Sequence, residues 1–276
     1  MKVIVAKSAG FCWGVQRAVE KAREAARRSP EPVYTDGPLI HNEEMMRRLR
    51  HEGIEERRDP ETLSGGTLVI RAHGIPPERR RLLRKLPVTL LDATCPDVAK
   101  IQGLVKKHAA RGCHILIYGD PGHAEVTGLL GFAGERGHVI ASVDDVRALP
   151  ELSAVCLVAQ STQFPDDYAE VAAVVHQRYP DTIVLDTICA ATKSRQSELR
   201  EIAQAADAIV VVGDRQSANT LRLVKLAAAF KPAFHVQTSA ELEPAKLRGY
   251  AVVGLTAGAS TPADIIDSVR TALERI

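Results

Sequence analysis

The chain has 276 residues, room for roughly two domains at about 150 residues each, and its 36 Lys+Arg against 34 Asp+Glu leave a net charge of +2. That balance excludes a polybasic nucleic-acid or membrane surface and points to a small polar metabolite as partner. No apolar run reaches the ~20 residues a membrane span needs, no segment ahead of the first strand-like run has the pattern of a signal or transit peptide, and an odd number of cysteines, five, argues against a disulfide framework; the expected compartment is the reducing cytoplasm.

Short runs rich in Val, Ile and Leu alternate with amphipathic Arg/Glu/Ala-rich segments, the pattern of parallel strands covered by helices. In chain order the strand candidates are "VIVAK", "PVYT", "TLVIRA", "TLLDA", "HILIYG", "HVIAS", "VCLVAQ", "TIVLDT", "AIVVVG", "AFHV" and "AVVGLT". Eleven strands exceed one ordinary doubly wound sheet, so several small α/β units are expected. Three segments share one plan of strand, short turn, cysteine and amphipathic helix: "VIVAKSAGFCWGVQRAVEKA", "VTLLDATCPDVAKIQGLVKK" and "TIVLDTICAATKSRQSELRE". This self-similarity predicts three similar units, 13–95, 96–188, and 189–276 together with 1–12.

A thiol at a helix N-terminus feels the positive end of the dipole, which favours the metal-ligating thiolate. Open α/β sheets bind ligands beyond the carboxyl ends of their strands, so Cys12, Cys95 and Cys189 are expected at the functional edge. Cys113 and Cys156 fall inside strand runs and are expected in the core. Other strand ends hold an unusual polar set: His41 in "GPLIHN", His73 in "IRAHG", His123 and Glu125 in "GDPGHAE", Ser161 and Thr162 in "VAQST", Ser217 and Asn219 in "VVGDRQSAN", and Ser260 in "LTAGAST". Each alone is explained as a loop residue or helix cap, but capping does not explain repeated histidine. Histidines, hydroxyls, an amide and Gly/Ser-rich turns at helix N-termini suit a diphosphate. Neither G-x-x-x-x-G-K-[ST] nor G-x-G-x-x-G occurs, so electrons, if used, come from another protein. Three thiolates without a fourth fit either an iron–sulfur cluster with one open iron or a catalytic zinc, and ligand type alone does not choose between them.

The segments "GFCWGVQRA", "GPLIHN", "RAHGIPP", "LDATCP", "GHAEVTG", "AQSTQ", "DTICAATKSRQ", "NTLRL" and "TAGASTP" resemble, in order and over essentially the whole chain, the 4-hydroxy-3-methylbut-2-enyl diphosphate reductase family, called IspH or LytB. The resemblance implies an iron–sulfur oxidoreductase of isoprene biosynthesis. It completes the methylerythritol phosphate pathway by reductive removal of the C4 hydroxyl of (E)-4-hydroxy-3-methylbut-2-enyl diphosphate, giving isopentenyl and dimethylallyl diphosphates. It further implies three small α/β units with mostly parallel sheets arranged as a trefoil around a central [4Fe-4S] cluster. A ferredoxin- or flavodoxin-type protein would supply two electrons.

Carried over residue by residue, the resemblance makes Cys12, Cys95 and Cys189 the cluster ligands. His41, His73, His123, Ser217, Ala218, Asn219 and Ser260 would form the diphosphate cradle and Glu125 would deliver the proton. Ser161 and Thr162 match a Thr-Thr pair whose first hydroxyl orients the substrate hydroxyl and the relay. Four positions depart from the family pattern: Ser161 for Thr, Ala218 for Ser or Gly, Arg215 for Lys, and Ala124 for Pro in "HAE". None removes a cluster ligand or the acid.

Overall fold

A computed structural model describes all 276 residues. Strand β1 (Lys2–Val5) leads through α1 (Trp13–Arg28) into β2 (Val33–Asp36), α2 (Glu43–His51), β3 (Ile54–Arg57), β4 (Thr67–Ile70), α3 (Pro77–Leu83) and β5 (Thr89–Asp92). Helix α4 (Pro96–Ala110) carries the chain into β6 (His114–Tyr118), α5 (Ala124–Ala133), β7 (Gly137–Ile140), α6 (Val143–Ala148), β8 (Val155–Ala159), α7 (Pro165–Arg178) and β9 (Ile183–Val184). Helix α8 (Ala190–Ala205) opens the last stretch, β10 (Ala208–Val212), α9 (Ala218–Ala228), β11 (Ala233–Val236), α10 (Pro244–Leu247), β12 (Val252–Ala257) and α11 (Ala263–Glu274).

The strands form three four-stranded sheets, ordered β3-β2-β4-β5, β7-β6-β8-β9 and β11-β10-β12-β1, and every pairing is parallel. The three orders are one order. Counting strands as the chain makes them, each sheet runs second, first, third, last; in the third sheet the last place is taken by β1, from the far end of the sequence. The three similar α/β units expected from the repeated cysteine plan are present as these three sheets, and the crossover helices α1, α4 and α8 that lead from one sheet to the next each begin directly after Cys12, Cys95 or Cys189.

All eleven strand runs coincide with strands, but β3 was not anticipated. Its sequence Ile-Glu-Glu-Arg has one apolar residue because it is an edge strand, and its charges pair locally, Arg57 with Glu55 and Arg58 with Glu56; charged edges discourage pairing with another chain. The run "TIVLDT" yields only the two-residue β9, because the pairing past Val184 is carried partly by a side chain. Thr187 Oγ1 accepts from Ala159 N–H at 2.7 Å and donates to Ala159 O at 2.8 Å.

Packing divides the chain into two compact units. One comprises 1–16, 40–49 and 190–276. On one face of its sheet Val210, Val212 and Leu255 meet Ile265, Ile266, Val269 and Leu273 of α11, the apolar stripe of an amphipathic helix; on the other, Ile4 and Ala6 meet Ile202 and Ala206. The other unit comprises 17–39 and 50–189 and holds the remaining two sheets. Its β6 and β8 are buried on both faces: Ile115, Ile117, Cys156 and Val158 pack under α4 and α5, while Leu116, Leu157 and Ala159 pack under Tyr168, Val171 and Val175 of α7. That explains their unbroken apolar runs. The two sheets of this unit approach through α5, where a Cβ on Gly131 would fall 2.6 Å from Pro76 Cβ.

Candidate active site

Every residue expected at the site follows a first, third or last strand of its sheet, and none follows a second. These are the carboxyl ends flanking the topological switch, where open parallel sheets leave a crevice. After each first strand a helix begins with a side-chain cap: Asn42 Oδ1 accepts from Met45 N–H at 2.8 Å, His123 Nδ1 from Glu125 N–H at 3.2 Å, and Ser217 Oγ from Thr220 N–H at 3.3 Å. Such caps satisfy helix donors that otherwise lack partners. They also fix states: because His123 Nδ1 accepts, its neutral ring carries the proton on Nε2, and because Ser217 Oγ accepts, its own O–H is left to donate.

After each third strand the chain makes one recurring contact. The carbonyls of Ala72, Ser161 and Ala259 accept from the backbone N–H of Cys95, Cys189 and Cys12 at 2.9, 3.0 and 3.0 Å. His73, Thr162 and Ser260 each follow that carbonyl by one residue, so they occupy equivalent places. The N–H groups of the same three residues are also taken up, but differently. Ser161 N–H donates to Glu125 Oε1 at 2.7 Å, Ala259 N–H to Asn219 Oδ1 at 3.1 Å, and Ala72 N–H to Leu39 O at 3.1 Å. Glu125 and Asn219 are therefore counterparts, and only one of the three units places a carboxylate there.

In the unit holding residues 17–39 and 50–189, His73, Cys95, His123, Glu125, Ser161, Thr162 and Cys189 are present. Glu125 is 2 % exposed, and Ser161 grips both its oxygens, N–H on Oε1 and Oγ–H on Oε2, each at 2.7 Å. The Ser161 carbonyl binds Cys189 N–H, so one residue ties the acid to a cysteine turn. The rings of His73 and His123 meet edge to face with centroids 5.6 Å apart. Gln160 was missed by sequence reasoning although it lies within "VAQST": its Oε1 accepts from Asp120 N–H and its Nε2 donates to Thr162 Oγ1, both at 2.9 Å.

In the unit holding residues 1–16, 40–49 and 190–276, Cys12, His41, Ser217, Ala218, Asn219 and Ser260 are present. Ser260 Oγ donates to His41 O at 2.8 Å, and Ala218 opens α9 directly after its cap. Asp214, also missed, is buried and accepts from Glu43 N–H at 2.8 Å and Gln216 N–H at 2.7 Å. Gly10, two residues before Cys12, has φ +105°, a conformation that favours glycine.

The turns ahead of two cysteines are held by cations from a neighbouring crossover helix. Arg17 of α1 donates to Thr94 O at 3.1 Å, just before Cys95, and Arg195 of α8 donates to Gly10 O at 2.6 Å, just before Cys12. Glu198 accepts at the start of the same turn from Lys7 N–H at 2.6 Å, Ser8 N–H at 2.8 Å and Ser8 Oγ–H at 2.5 Å. Burial of Glu198 opposes its charge, but these hydrogen bonds and the Lys7 charge together hold its carboxyl below the usual range.

The five cysteines separate into two kinds, and none is disulfide-bonded. Cys12, Cys95 and Cys189 are half-buried at helix starts, whereas Cys113 and Cys156 are buried in the second unit's core, as expected. Burial, with Cys113 beside it, pushes the Cys156 thiol up to about 12. A thiol so placed stays protonated and inert. Trp13, next to Cys12, is 50 % exposed.

The chain is similar over its full length to known proteins. The family described as LytB protein matches residues 3–274. A 4-hydroxy-3-methylbut-2-enyl diphosphate reductase from Opitutus terrae is 46 % identical over all of both chains, and one from Aquifex aeolicus is 36 % identical over 99 % of this chain and 96 % of its own. Among solved structures, the E-1-hydroxy-2-methyl-but-2-enyl-4-diphosphate reductase from Plasmodium falciparum superposes with a TM-score of 0.94 at 29 % identity, covering 98 % of this chain and 87 % of that one. A second structure, of an (E)-4-hydroxy-3-methyl-but-2-enyl diphosphate reductase described as the terminal enzyme of the non-mevalonate pathway, gives 0.74 at 36 % identity over all of both chains. With sheets, crossover helices and nearly every residue matched, this chain belongs to the LytB protein family.

Proposed function

We propose that the chain is a 4-hydroxy-3-methylbut-2-enyl diphosphate reductase that removes the C4 hydroxyl of the (E)-allylic diphosphate to yield isopentenyl and dimethylallyl diphosphates. The observation that carries this reading is the full-length match to reductases of that name. The enzyme acts in the cytoplasm on a small soluble diphosphate. No helix is long and apolar enough to cross a membrane.

The donor set fits an iron–sulfur cluster. Cys12, Cys95 and Cys189 stand at equivalent turns, each with its backbone N–H fixed on a carbonyl just past a third strand, while the other two thiols are sealed in the core. The three would hold a [4Fe-4S] cluster, which when bound supplies two electrons, drawn from a ferredoxin- or flavodoxin-type protein, and a Lewis-acidic iron. Glu125 holds the proton that must reach the departing oxygen, since hydroxide is a poor leaving group. Ser161 orients that carboxyl through two hydrogen bonds and keeps it off the solvent side. His41, His73 and His123, with Thr162, Ser217, Ala218, Asn219 and Ser260, bind the diphosphate. The O–H of Ser217 can donate to it, the helix start at Ala218 offers backbone N–H groups, and Ser260 must turn from His41 O to donate.

Anaerobic purification and reconstitution, iron and sulfide analysis, and turnover of the allylic diphosphate with a chemical reductant test the proposal together. A colourless, iron-free protein after reconstitution refutes it.

A further inference from the structure

The equivalence of the three sheets allows their switch-point crevices to be compared position by position. The first strand of each is followed directly by a glycine: Gly37, Gly119 and Gly213. In two sheets the crevice is filled by the chain itself. A Cβ on Gly119 would meet Val126 Cγ2 at 2.7 Å and Gln160 Oε1 at 2.9 Å, and one on Gly213 would meet Thr220 Oγ1 at 2.6 Å; Thr220 also fills the space over Gly258. At Gly37 a Cβ would touch only Arg71 Nη1, at 3.6 Å. The space left there is an open cavity of about 480 Å³, within the size range of small-molecule sites.

Its lining is cationic. Arg58, Arg71 and Arg79 face it, with Asp36. Arg79 is held by Asp36 at 2.9 Å and by Glu61, and Arg58 by Glu56 at 3.0 Å. Arg71, which stands where the other sheets carry Gln160 and Gly258, is different: its Nε is buried with no hydrogen-bond partner. Burial works against its charge, Asp36 eases it and Arg79 opposes it, yet Asp36 already bonds Arg79. A buried N–H without an acceptor is costly, and one kept in a native structure calls for something that supplies the acceptor.

We propose that the crevice between β2 and β4, lined by Arg58, Arg71 and Arg79, is a binding site for a phosphate group, free or carried by a small metabolite, separate from the Cys/His/Glu constellation. A tetrahedral oxyanion can accept from the guanidinium groups of Arg71, Arg79 and Arg58 together, whereas a planar carboxylate is matched by one guanidinium fork alone. The switch point at the carboxyl ends of parallel strands is where such sheets take ligands.

The test is thermal melting of the full-length, cluster-reconstituted protein in rising inorganic phosphate, with glycerol phosphate and acetate as parallel arms, on the wild type, Arg71→Leu and Arg71→Lys. In phosphate-free buffer Arg71→Leu should melt no lower than the wild type, because a buried donor without an acceptor has been replaced by an apolar group. It should weaken apparent phosphate affinity at this site by at least about tenfold, leaving only the shift due to other anion sites, while Arg71→Lys keeps part of the effect. A larger shift with glycerol phosphate than with phosphate assigns a metabolite as the source, and the reverse assigns the free ion. Equal shifts in wild type and Arg71→Leu, or an acetate shift equal to that of phosphate, overturn the proposal. Should Arg71→Leu fold poorly, tungstate soaked into wild-type crystals decides: anomalous density within hydrogen-bond distance of the Arg71 guanidinium supports the site, and its absence at saturating tungstate refutes it.

Discussion

Replacing Glu125 by Gln separates the proton from everything else the side chain does. The carboxyl is 2 % exposed and both its oxygens accept from Ser161 at 2.7 Å. An amide keeps the first bond, Oε1 still accepting from Ser161 N–H, and can reverse the second, its NH₂ donating to Ser161 Oγ. The expected stability loss is therefore under about 1 kcal/mol, whereas Glu125→Ala, which strands a buried N–H, should cost about 1–3 kcal/mol. Catalysis should respond in the opposite proportion. An amide gives no proton, and loss of a general acid slows turnover by about 10²–10⁴-fold, roughly 2.7–5.4 kcal/mol of barrier. Melting temperatures, substrate affinity by titration and anaerobic turnover with a chemical reductant measure the three quantities independently. A Gln variant that turns over within about threefold of wild type would remove Glu125 from the proton path.

Ser161→Ala deletes the Oγ donor but keeps the backbone one, so it should bind substrate normally and lose about tenfold in turnover, close to the worth of one buried hydrogen bond; iron content is the control. Cys113→Ser should retain full iron and colour, while Cys189→Ser should lose both with the fold preserved by circular dichroism. Glu198→Gln should cost about 1–2 kcal/mol at neutral pH and change the acid side of the stability profile. A carboxyl held below its unfolded value stabilises the fold above that unfolded value, and the contribution disappears as pH falls through the lowered one. The variant should lack that component of acid destabilisation, checked by denaturant melts from pH 7 down to pH 3.

The repeated strand–Cys–helix plan was legible because it is local: an apolar run, a turn and an amphipathic helix lie within some twenty residues. The fully buried strands β6 and β8 were legible for the same reason. Strand β3 was not, since Ile54 alone faces the core and the remaining residues carry the charges of an exposed edge. The polar residues at strand ends announced themselves by residue type, but their supports did not. Glu198 reaches the Lys7–Ser8 turn across 191 and 190 positions of sequence, and Arg195 reaches Gly10 across 185; no periodicity encodes such distances. The correspondence of Glu125 with Asn219 was equally hidden, because it is a likeness of backbone place between two unlike side chains. The Arg71 Nε without an acceptor had no sequence signal either, since Arg71 shares its place only with the unlike Gln160 and Gly258.

The shared strand order also bears on how the protein is made. Strand β1 is among the first segments to be synthesised, yet its partner in the sheet is β12, with Val3 opposite Val253 and Val5 opposite Leu255, and the N–H of Cys12 waits for the carbonyl of Ala259. Contacts of such sequence separation form late and slowly. The two sheets of β2–β5 and β6–β9 can close while the chain is still emerging, whereas the sheet of β10–β12 stays one strand short until translation is nearly finished. A ribosome-stalled chain truncated before β12 should therefore fold its middle and leave Cys12 on a loose tether, so that the metallocentre can be loaded only after release.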